Sequence, residues 1–362
     1  MSSLSQILHS LALCGLITTG SLAREVELIE DTKFAEGFGA SWYYGSKFSG
    51  PRHREGRVLA YRSIPAPDEA WLIPGQKVSE LTKPIEHPWD FEEGLHHDYT
   101  DPITNKPVSE LHRHRFVVNH KLEADTPDKL QFAQFNNEGL KPGDPDWNTR
   151  FVKRITSNRK GTIHVEYNSQ NEIRNAAEVQ TSKWARDTWP HLLLNQTFKD
   201  MPKLRDFERL DMQMTFRVDK LNRLSPWLND AASMNFKYMF FLRQIEDPDK
   251  ALFVGMMLQT SKPEHYKPLT AAEQHGAVFS RESITQYGPV PEIGETRTVK
   301  RELIDHVRKT LIEANKLDPK LSTDPDDYYL FNIAIGWEGL GHWEADFVMK
   351  DLSLKGIPRK KD

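Results

Sequence analysis

Apolar and polar residues alternate along much of the chain, most clearly over residues 331–357. The apolar positions are Phe331, Ile333, Ile335 and Trp337, then Trp343, Ala345, Phe347 and Met349. Gly339 and Gly341 lie between the two runs. A period of two on both sides of a glycine-bearing connection is typical of a β-hairpin with one buried face. The pattern therefore predicts an antiparallel hairpin over residues 331–357.

The same alternation recurs earlier in the chain. Residues 211–218 place Met212, Met214, Phe216 and Val218 on one side. Residues 235–244 and 251–259 are richer in apolar residues, and the polar turn 246–249 predicts that they form a second antiparallel hairpin. Shorter strand candidates are residues 58–61, 116–118, 130–135, 162–167 and 189–198.

One segment departs from period two. Near residues 297–316 the apolar residues follow helical spacing, and Asp318 and Pro319 end the pattern. Residues of about 62–150 are rich in turn formers and are expected to be loop-rich.

Many short strands and no βαβ alternation favour an all-β fold. We expect an antiparallel β-sandwich of the jelly-roll, concanavalin A-like type, with one accessory α-helix near 297–316.

Composition and charge limit which kinds of partner the protein can be expected to bind and in which cellular compartment it is expected. A net charge of −4 gives no reason to expect nucleic acid, and no later window resembles a membrane span. Residues 1–23 lack charged side chains and end in small residues, as a cleaved signal peptide does. The single cysteine, Cys14, lies in that segment. We therefore expect a secreted or periplasmic protein whose mature chain, residues 24–362, is a single domain without disulfides.

The C-terminal run carries a family resemblance. ADFVMKDLSLKGI resembles the closing strand of jelly-roll, carbohydrate-active sandwiches, and the segment from Gly336 to Gly341 is similar to the Gly–x–Glu–x–x–Gly segment of family 12 glycoside hydrolases. The resemblance implies that Glu338 is a general acid/base. The family's nucleophile is a glutamate two residues before a methionine, and here Lys237 precedes Met239 in that place. The two carboxylates of a retaining hydrolase are therefore not expected from these positions.

If the apolar residues of each strand face a core, the residues that alternate with them form an outer face of polar side chains. Such a face suits a polar or uronate-containing glycan, because arginine binds carboxylates bidentately. The substrate-binding candidates are Gln213, Arg217, Lys237, Arg243, Asn332, Trp337 and Glu344. The catalytic candidates are Glu338, His342 and His191. The alternative is a solvated outer face with structural histidines, and with Trp337 packed in the core.

The histidine-rich segments offer little for a metal. His96 and His97 are adjacent, so they would point to opposite faces of a strand, and Arg113 separates His112 from His114. We expect no metal site and no cofactor there, although a structural calcium ion could bind at the Asp144–Asp146 turn or at residues 324–327.

The leading functional hypothesis is a carbohydrate-active enzyme, a polysaccharide lyase or a glycoside hydrolase, with polysaccharide as its partner. The alternatives are a non-catalytic carbohydrate-binding or adhesion protein and a structural cell-surface protein without a ligand. Sequence motifs of nucleotide-binding enzymes, serine hydrolases and zinc proteases do not occur. The sequence leaves the glycan and the oligomeric state open.

Overall fold

Two eight-stranded β-sheets form the protein. The computed structural model describes residues 24–35, 38–44, 89–95, 114–118, 129–136, 140–141, 143–172, 191–226, 232–272 and 277–360. Residues 1–23, which hold the predicted signal peptide, lie outside the described residues, as do residues 58–61 and the His96–His97 pair. The described part contains no helix long and apolar enough to cross a membrane.

Sheet A has the order β14-β9-β16-β7-β6-β5-β4, with β1 paired to β16. Its strands are β1 (Val26–Glu27), β4 (His114–Val118), β5 (Lys129–Asn136), β6 (Phe151–Ser157), β7 (Thr162–Asn168), β9 (Phe207–Arg223), β14 (Thr296–Glu302) and β16 (Trp343–Pro358).

Sheet B has the order β12-β13-β11-β10-β15-β8-β3-β2. Its strands are β2 (Phe38–Tyr44), β3 (Trp89–Leu95), β8 (His191–Thr197), β10 (Ser233–Gln244), β11 (Ala251–Thr260), β12 (Leu269–Ala272), β13 (Val278–Ser283) and β15 (Tyr328–Leu340). Pairing is antiparallel except between β2 and β3 and between β11 and β13.

The two sheets pack face to face around one hydrophobic core. Phe236 of β10 stacks on Phe347 of β16 with ring centroids 4.2 Å apart, and Phe216 of β9 meets the same Phe236 ring edge-on at 5.5 Å. The predicted apolar side of residues 211–218 is buried in this core. The predicted fold class, a mainly antiparallel β-sandwich, is therefore confirmed, and so is the hairpin of β10 and β11.

The predicted hairpin over residues 331–357 is wrong. β15 pairs with β10 and β8 in sheet B, whereas β16 pairs with β9 and β7 in sheet A. The chain therefore crosses from one sheet to the other at Gly341, which has a φ of 92° and no room for a Cβ beside Ala232. Both strands alternate because both face the same core, and a period of two cannot distinguish a hairpin from such a crossing.

Two further predictions need correction. The helix α2 (Leu303–Leu317) begins later than predicted, because residues before it form β14 and pair with β9. Its N-cap is Glu302, whose carboxylate accepts from the backbone N–H groups of Ile304 and Asp305. Residues Trp89–Leu95, predicted to be loop, form β3 and pair with β8. The remaining α-helix of the described part is the short α1 (Ser169–Glu172).

Candidate functional site

The outer face of sheet B carries an ion pair at its centre. Lys237 of β10 and Glu338 of β15 point away from the core on neighbouring strands, and the ammonium contacts the carboxylate. Their side chains are only 12% and 20% exposed. An ion pair this far below the surface is unusual for an outward sheet face, which is normally solvated. We call the surface around it the Lys237–Glu338 face.

Glu338 is ionised in this setting. Burial alone would raise its pKa, but the positive charge of Lys237, followed by that of His191, outweighs burial and holds the pKa below its ordinary value. His191 of β8 lies directly opposite Glu338 in the strand register. A general acid needs a raised pKa, so this glutamate is poorly suited to protonate a leaving group near neutral pH.

A second cation, Arg281 of β13, lies on the same face. Lys237 Nζ and Arg281 Cζ sit 5.4 and 6.0 Å from the centroid of the Phe279 ring. The Nε atom of Arg281 is buried and has no hydrogen-bond partner among the described residues. Burial lowers the pKa of Arg281, while the charge of Glu338 opposes that shift. The face thus places the cations Lys237 and Arg281 beside the carboxylate of Glu338, with one guanidinium donor unused.

A histidine beside these cations has a defined tautomer. Asn235 Oδ1 accepts from Thr260 Oγ1 at 2.7 Å and lies 2.9 Å from Nδ1 of His265. Because an amide oxygen only accepts, Nδ1 must carry the hydrogen and Nε2 must carry the lone pair. No described residue bonds Nε2. Burial, with the charges of Arg281 and Lys237, lowers the pKa of His265.

Farther along the strands the same face becomes aromatic. Arg243 of β10 lies over the ring of Phe331 at 3.9 Å, and Phe241 contacts Phe253 with ring centroids 4.6 Å apart. Arg243 is six residues from Lys237, which at about 3.4 Å per residue is roughly 20 Å. The face is therefore long enough for several sugar units in a row.

Some predicted site residues lie together and others do not. Glu338, Lys237 and His191 share the Lys237–Glu338 face, and Arg243 lies farther along it. Asn332 also belongs to β15, but its side chain is buried, and its Nδ2 donates to Thr197 Oγ1 at 3.3 Å.

The remaining candidates belong elsewhere, so the predicted single polar face is wrong. Gln213 and Arg217 lie on β9, and Glu344 lies on β16, all in sheet A. Arg217 binds Asp219 at 2.7 Å, and Glu344 binds Lys220 at 2.9 Å.

Two more of the predicted residues are buried. Trp337 is 0% exposed and packs in the core against Phe236, which is the alternative that its place among the apolar positions of the strand left open. His342 is 3% exposed in the turn between the sheets, with Nδ1 2.7 Å from Ser225 Oγ. Neither side chain is placed to contact a glycan on the outer face of sheet B.

Sequence reasoning missed three members of the face. Asn235 shares the parity of Lys237, and that parity could have identified it. Arg281 reaches the face through the parallel pairing of β13 with β11, and His265 lies in a 3-10 turn, Pro263–Tyr266, after β11. No local pattern predicts such pairings between distant segments.

The described residues contain no group of three or more histidine, cysteine, aspartate or glutamate side chains arranged to hold a metal. Asp146 interacts with Thr149 and Arg150, and Asp326 forms two hydrogen bonds with Arg359. A calcium ion at either aspartate-rich turn stays a prediction.

No protein-family model matches the chain, and no curated protein matches it in sequence. Several solved structures show a weak similarity. A family 12 xyloglucanase from Bacillus licheniformis is 11% identical over 67% of this chain and 98% of its own, with a TM-score of 0.35. A metagenome-derived family 12 endoglucanase is 12% identical over 68% of this chain and 99% of its own, with a TM-score of 0.33.

Endoglucanase 3 from Trichoderma harzianum is 8% identical over 68% of this chain and 95% of its own, with a TM-score of 0.31. Similarity at this level carries no argument about activity. The β-sandwich is shown by the two sheets of the protein itself.

A glycine keeps the Glu338 strand in place. Gly336 lies opposite Lys237 and Leu193, and a Cβ there would lie 2.0 Å from the backbone oxygen of Leu192. We expect Gly336→Ala to lower the free energy of unfolding by about 3 kcal/mol, since β8 and β15 must separate. Urea unfolding monitored by tryptophan fluorescence measures this.

The matched control is Gly294→Ala. Gly294 also has a positive φ, 84°, but nothing lies within 4 Å of an added Cβ. We expect a cost of only about 1 kcal/mol from the left-handed backbone. Equal losses in the two variants would contradict the close approach of β8 to β15.

Proposed function

We propose that this protein binds a uronate-containing polysaccharide on the Lys237–Glu338 face and cleaves it by β-elimination, as a polysaccharide lyase. The observation that carries the proposal is the neutral, singly hydrogen-bonded His265 beside two cations, Lys237 and Arg281. Uronates supply the carboxylate that such cations bind and the acidified C5 proton that a neutral imidazole removes.

Two-carboxylate hydrolysis has little support from this face. The ionised Glu338 is paired with Lys237, which stands where the family resemblance would place the nucleophile. A retaining glycosidase needs two carboxyl groups about 5–5.5 Å apart, and an inverting one needs them about 6.5–9.5 Å apart. A cation in contact with the first carboxylate serves neither geometry.

The elimination uses only groups of the face and the substrate. Lys237 and Arg281 neutralise the uronate carboxylate, which lowers the barrier to removing the proton at C5. His265 Nε2 takes that proton. The C5–H electron pair becomes the C4=C5 double bond as the C4–O bond breaks. The leaving oxygen takes a proton from the imidazolium, and no water is consumed.

The cations can be tested by binding. We expect Arg281→Gln to weaken binding of a uronate oligosaccharide about 10–100-fold, because a charge-assisted hydrogen bond contributes about 1.5–3 kcal/mol. Isothermal titration calorimetry measures the change. Arg217→Gln, on the outer face of sheet A, is the control and should leave the affinity unchanged. Equal losses in both variants would show that the anion is bound by general surface charge.

The reaction is tested with purified protein and two sets of glycans, polyuronates and neutral glucans or xylans. We expect ultraviolet absorbance from a C4=C5 unsaturated uronate to rise with at least one polyuronate. New reducing ends without that absorbance would overturn the lyase in favour of a hydrolase. Binding of polyuronates without any cleavage would leave a non-catalytic carbohydrate-binding protein, which needs the cations of the face and not His265.

A further inference from the structure

A pocket of about 250 Å³ lies between helix α2 and the strands β12 and β13. His306 and Thr310 of the helix line it, together with Thr270 of β12 and Ser280 of β13. Pro268 and Leu269 supply an apolar edge. The pocket is smaller than the roughly 300–1,000 Å³ of sites for drug-sized ligands, which indicates a ligand of a single ring.

The unusual feature of this pocket is His306. Its side chain is 2% exposed, yet neither ring nitrogen has a hydrogen-bond partner among the described residues. Buried polar atoms are nearly always bonded, and leaving one unbonded costs about 1–3 kcal/mol. A molecule that supplied a hydrogen bond to either ring nitrogen would therefore relieve this cost.

The carboxylate of Glu282 lies beside His306 but does not form a hydrogen bond with it. Glu282 Oε2 is 3.6 Å from His306 Nδ1, beyond hydrogen-bond distance. Its two oxygens already accept from Arg301 at 3.0 and 2.8 Å, and from the Tyr287 hydroxyl at 2.8 Å. The acid is thus held by other donors, and the imidazole beside it stays without a partner.

The protonation state of the imidazole decides which ligand chemistry fits. Burial lowers the pKa of His306 to about 4, so the ring is neutral at pH 7, with one N–H donor and one nitrogen acceptor. An anion could use only the donor and would meet the charges of Glu282 and Glu313, which both line the pocket. A cation could use only the acceptor and would meet the charges of Arg281 and Lys309, which line the pocket. A hydroxyl group both donates and accepts.

The lining also carries two cations, Arg281 and Lys309, two carboxylates, Glu282 and Glu313, and the amide of Gln286. Its hydroxyl-bearing residues are Thr310, Thr270 and Ser280. Thr310 is nearly buried, and the hydroxyls of Thr270 and Ser280 lie 3.0 Å apart. Such groups can exchange hydrogen bonds with a polyol, while Pro268 and Leu269 can cover the apolar face of a sugar ring.

We propose that this pocket, with His306 at its floor, is a binding site for one neutral monosaccharide unit. Arg281 belongs both to the pocket lining and to the Lys237–Glu338 face, so the two sites are neighbours. The proposal does not depend on cleavage at that face. It would let the protein hold a neutral sugar, free or as a branch or end of a glycan, while the sheet face holds uronates.

The test follows the ring nitrogens of His306 by NMR in the full-length wild-type protein, titrated with glucose, xylose and mannose, and with glucuronate for comparison. We expect at least one neutral sugar to shift these resonances saturably, and glucuronate to shift them far less. No saturable shift with any neutral sugar, or saturation by glucuronate alone, would overturn the proposal.

Two variants sharpen the test. Thr310→Val keeps the size of the side chain and should weaken binding of the active sugar about fivefold or more, because one hydroxyl partner is lost. Thr298→Val, which removes a hydroxyl bonded to Thr215 on the edge of sheet A, should leave affinity unchanged. An unaltered affinity in Thr310→Val would contradict the assigned pocket even if a sugar binds.

Discussion

Replacing His265 with glutamine will lower the rate of elimination on a polyuronate by about 10²–10⁴-fold, the usual contribution of a general base. Glutamine can still donate an N–H to Asn235 Oδ1, the contact that His265 makes at 2.9 Å. It has no basic nitrogen to take the C5 proton. Substrate affinity should change little, because the cations Lys237 and Arg281 remain.

Steady-state kinetics that separate kcat from KM measure this effect, and the pH profile adds an independent reading. Burial and the adjacent cations lower the pKa of His265, so the wild-type rate should hold below pH 6.5 before it falls. The matched control is His164→Gln on sheet A, which should keep the wild-type rate. A His265→Gln variant with the full wild-type rate would show that another group is the base. Equal loss of affinity and rate would show that His265 only supports the structure.

Lowering the pH from 6.5 to 4 will cost the wild-type protein about 3 kcal/mol of stability through His306 alone. Its pKa is about 4 in the folded protein against 6.5 when unfolded, and each unit is worth 1.36 kcal/mol. Because the unfolded chain binds the proton more readily, this stability is complete above the unfolded pKa. It is lost as the pH falls toward the folded pKa.

Denaturant unfolding at a series of pH values measures the loss. In His306→Gln, which stays neutral, the His306 component of the pH dependence should disappear. His164 provides the opposite sign, because the carboxylate of Asp346, 3.8 Å from its Nε2, and that of Glu166 raise its pKa. The stability that His164 contributes is present below its unfolded pKa and is lost as the pH rises through the raised value. An unchanged acid slope in His306→Gln would show that His306 is not buried and neutral.

The local pattern of apolar and polar residues was sufficient to predict those parts of the fold that depend on residues close together in the sequence. The apolar side of residues 211–218, the hairpin of β10 and β11, and the helix end at Asp318 all follow from short-range periodicity or turn chemistry. The start of the helix was misplaced because Val299 serves the core equally well from a strand.

The sheet to which each strand belongs could not be predicted from pattern. Arg217 and Glu338 share the polar parity of their strands, yet the core separates them because β9 and β15 belong to different sheets. The candidate site depends on the same non-local pairing. Lys237 meets Glu338 only through the register of β10 with β15, and Arg281 joins them through β13. The sequence pointed to Glu338 and Lys237 separately, and the structure shows that they form an ion pair.

Methionine methyl NMR tests most directly whether the Lys237–Glu338 face binds a uronate oligosaccharide. Met257 of β11 lies opposite Lys237 of β10, and Met239 lies two residues after Lys237 on β10. Both methionines lie on the outer side of sheet B. Met214 and Met349 lie in the core between the sheets and serve as internal references. We expect saturable shifts at Met257 and Met239, with Met214 and Met349 unchanged. Saturable shifts at the ring of His164 on sheet A, with Met257 and Met239 unmoved, would contradict the proposed face.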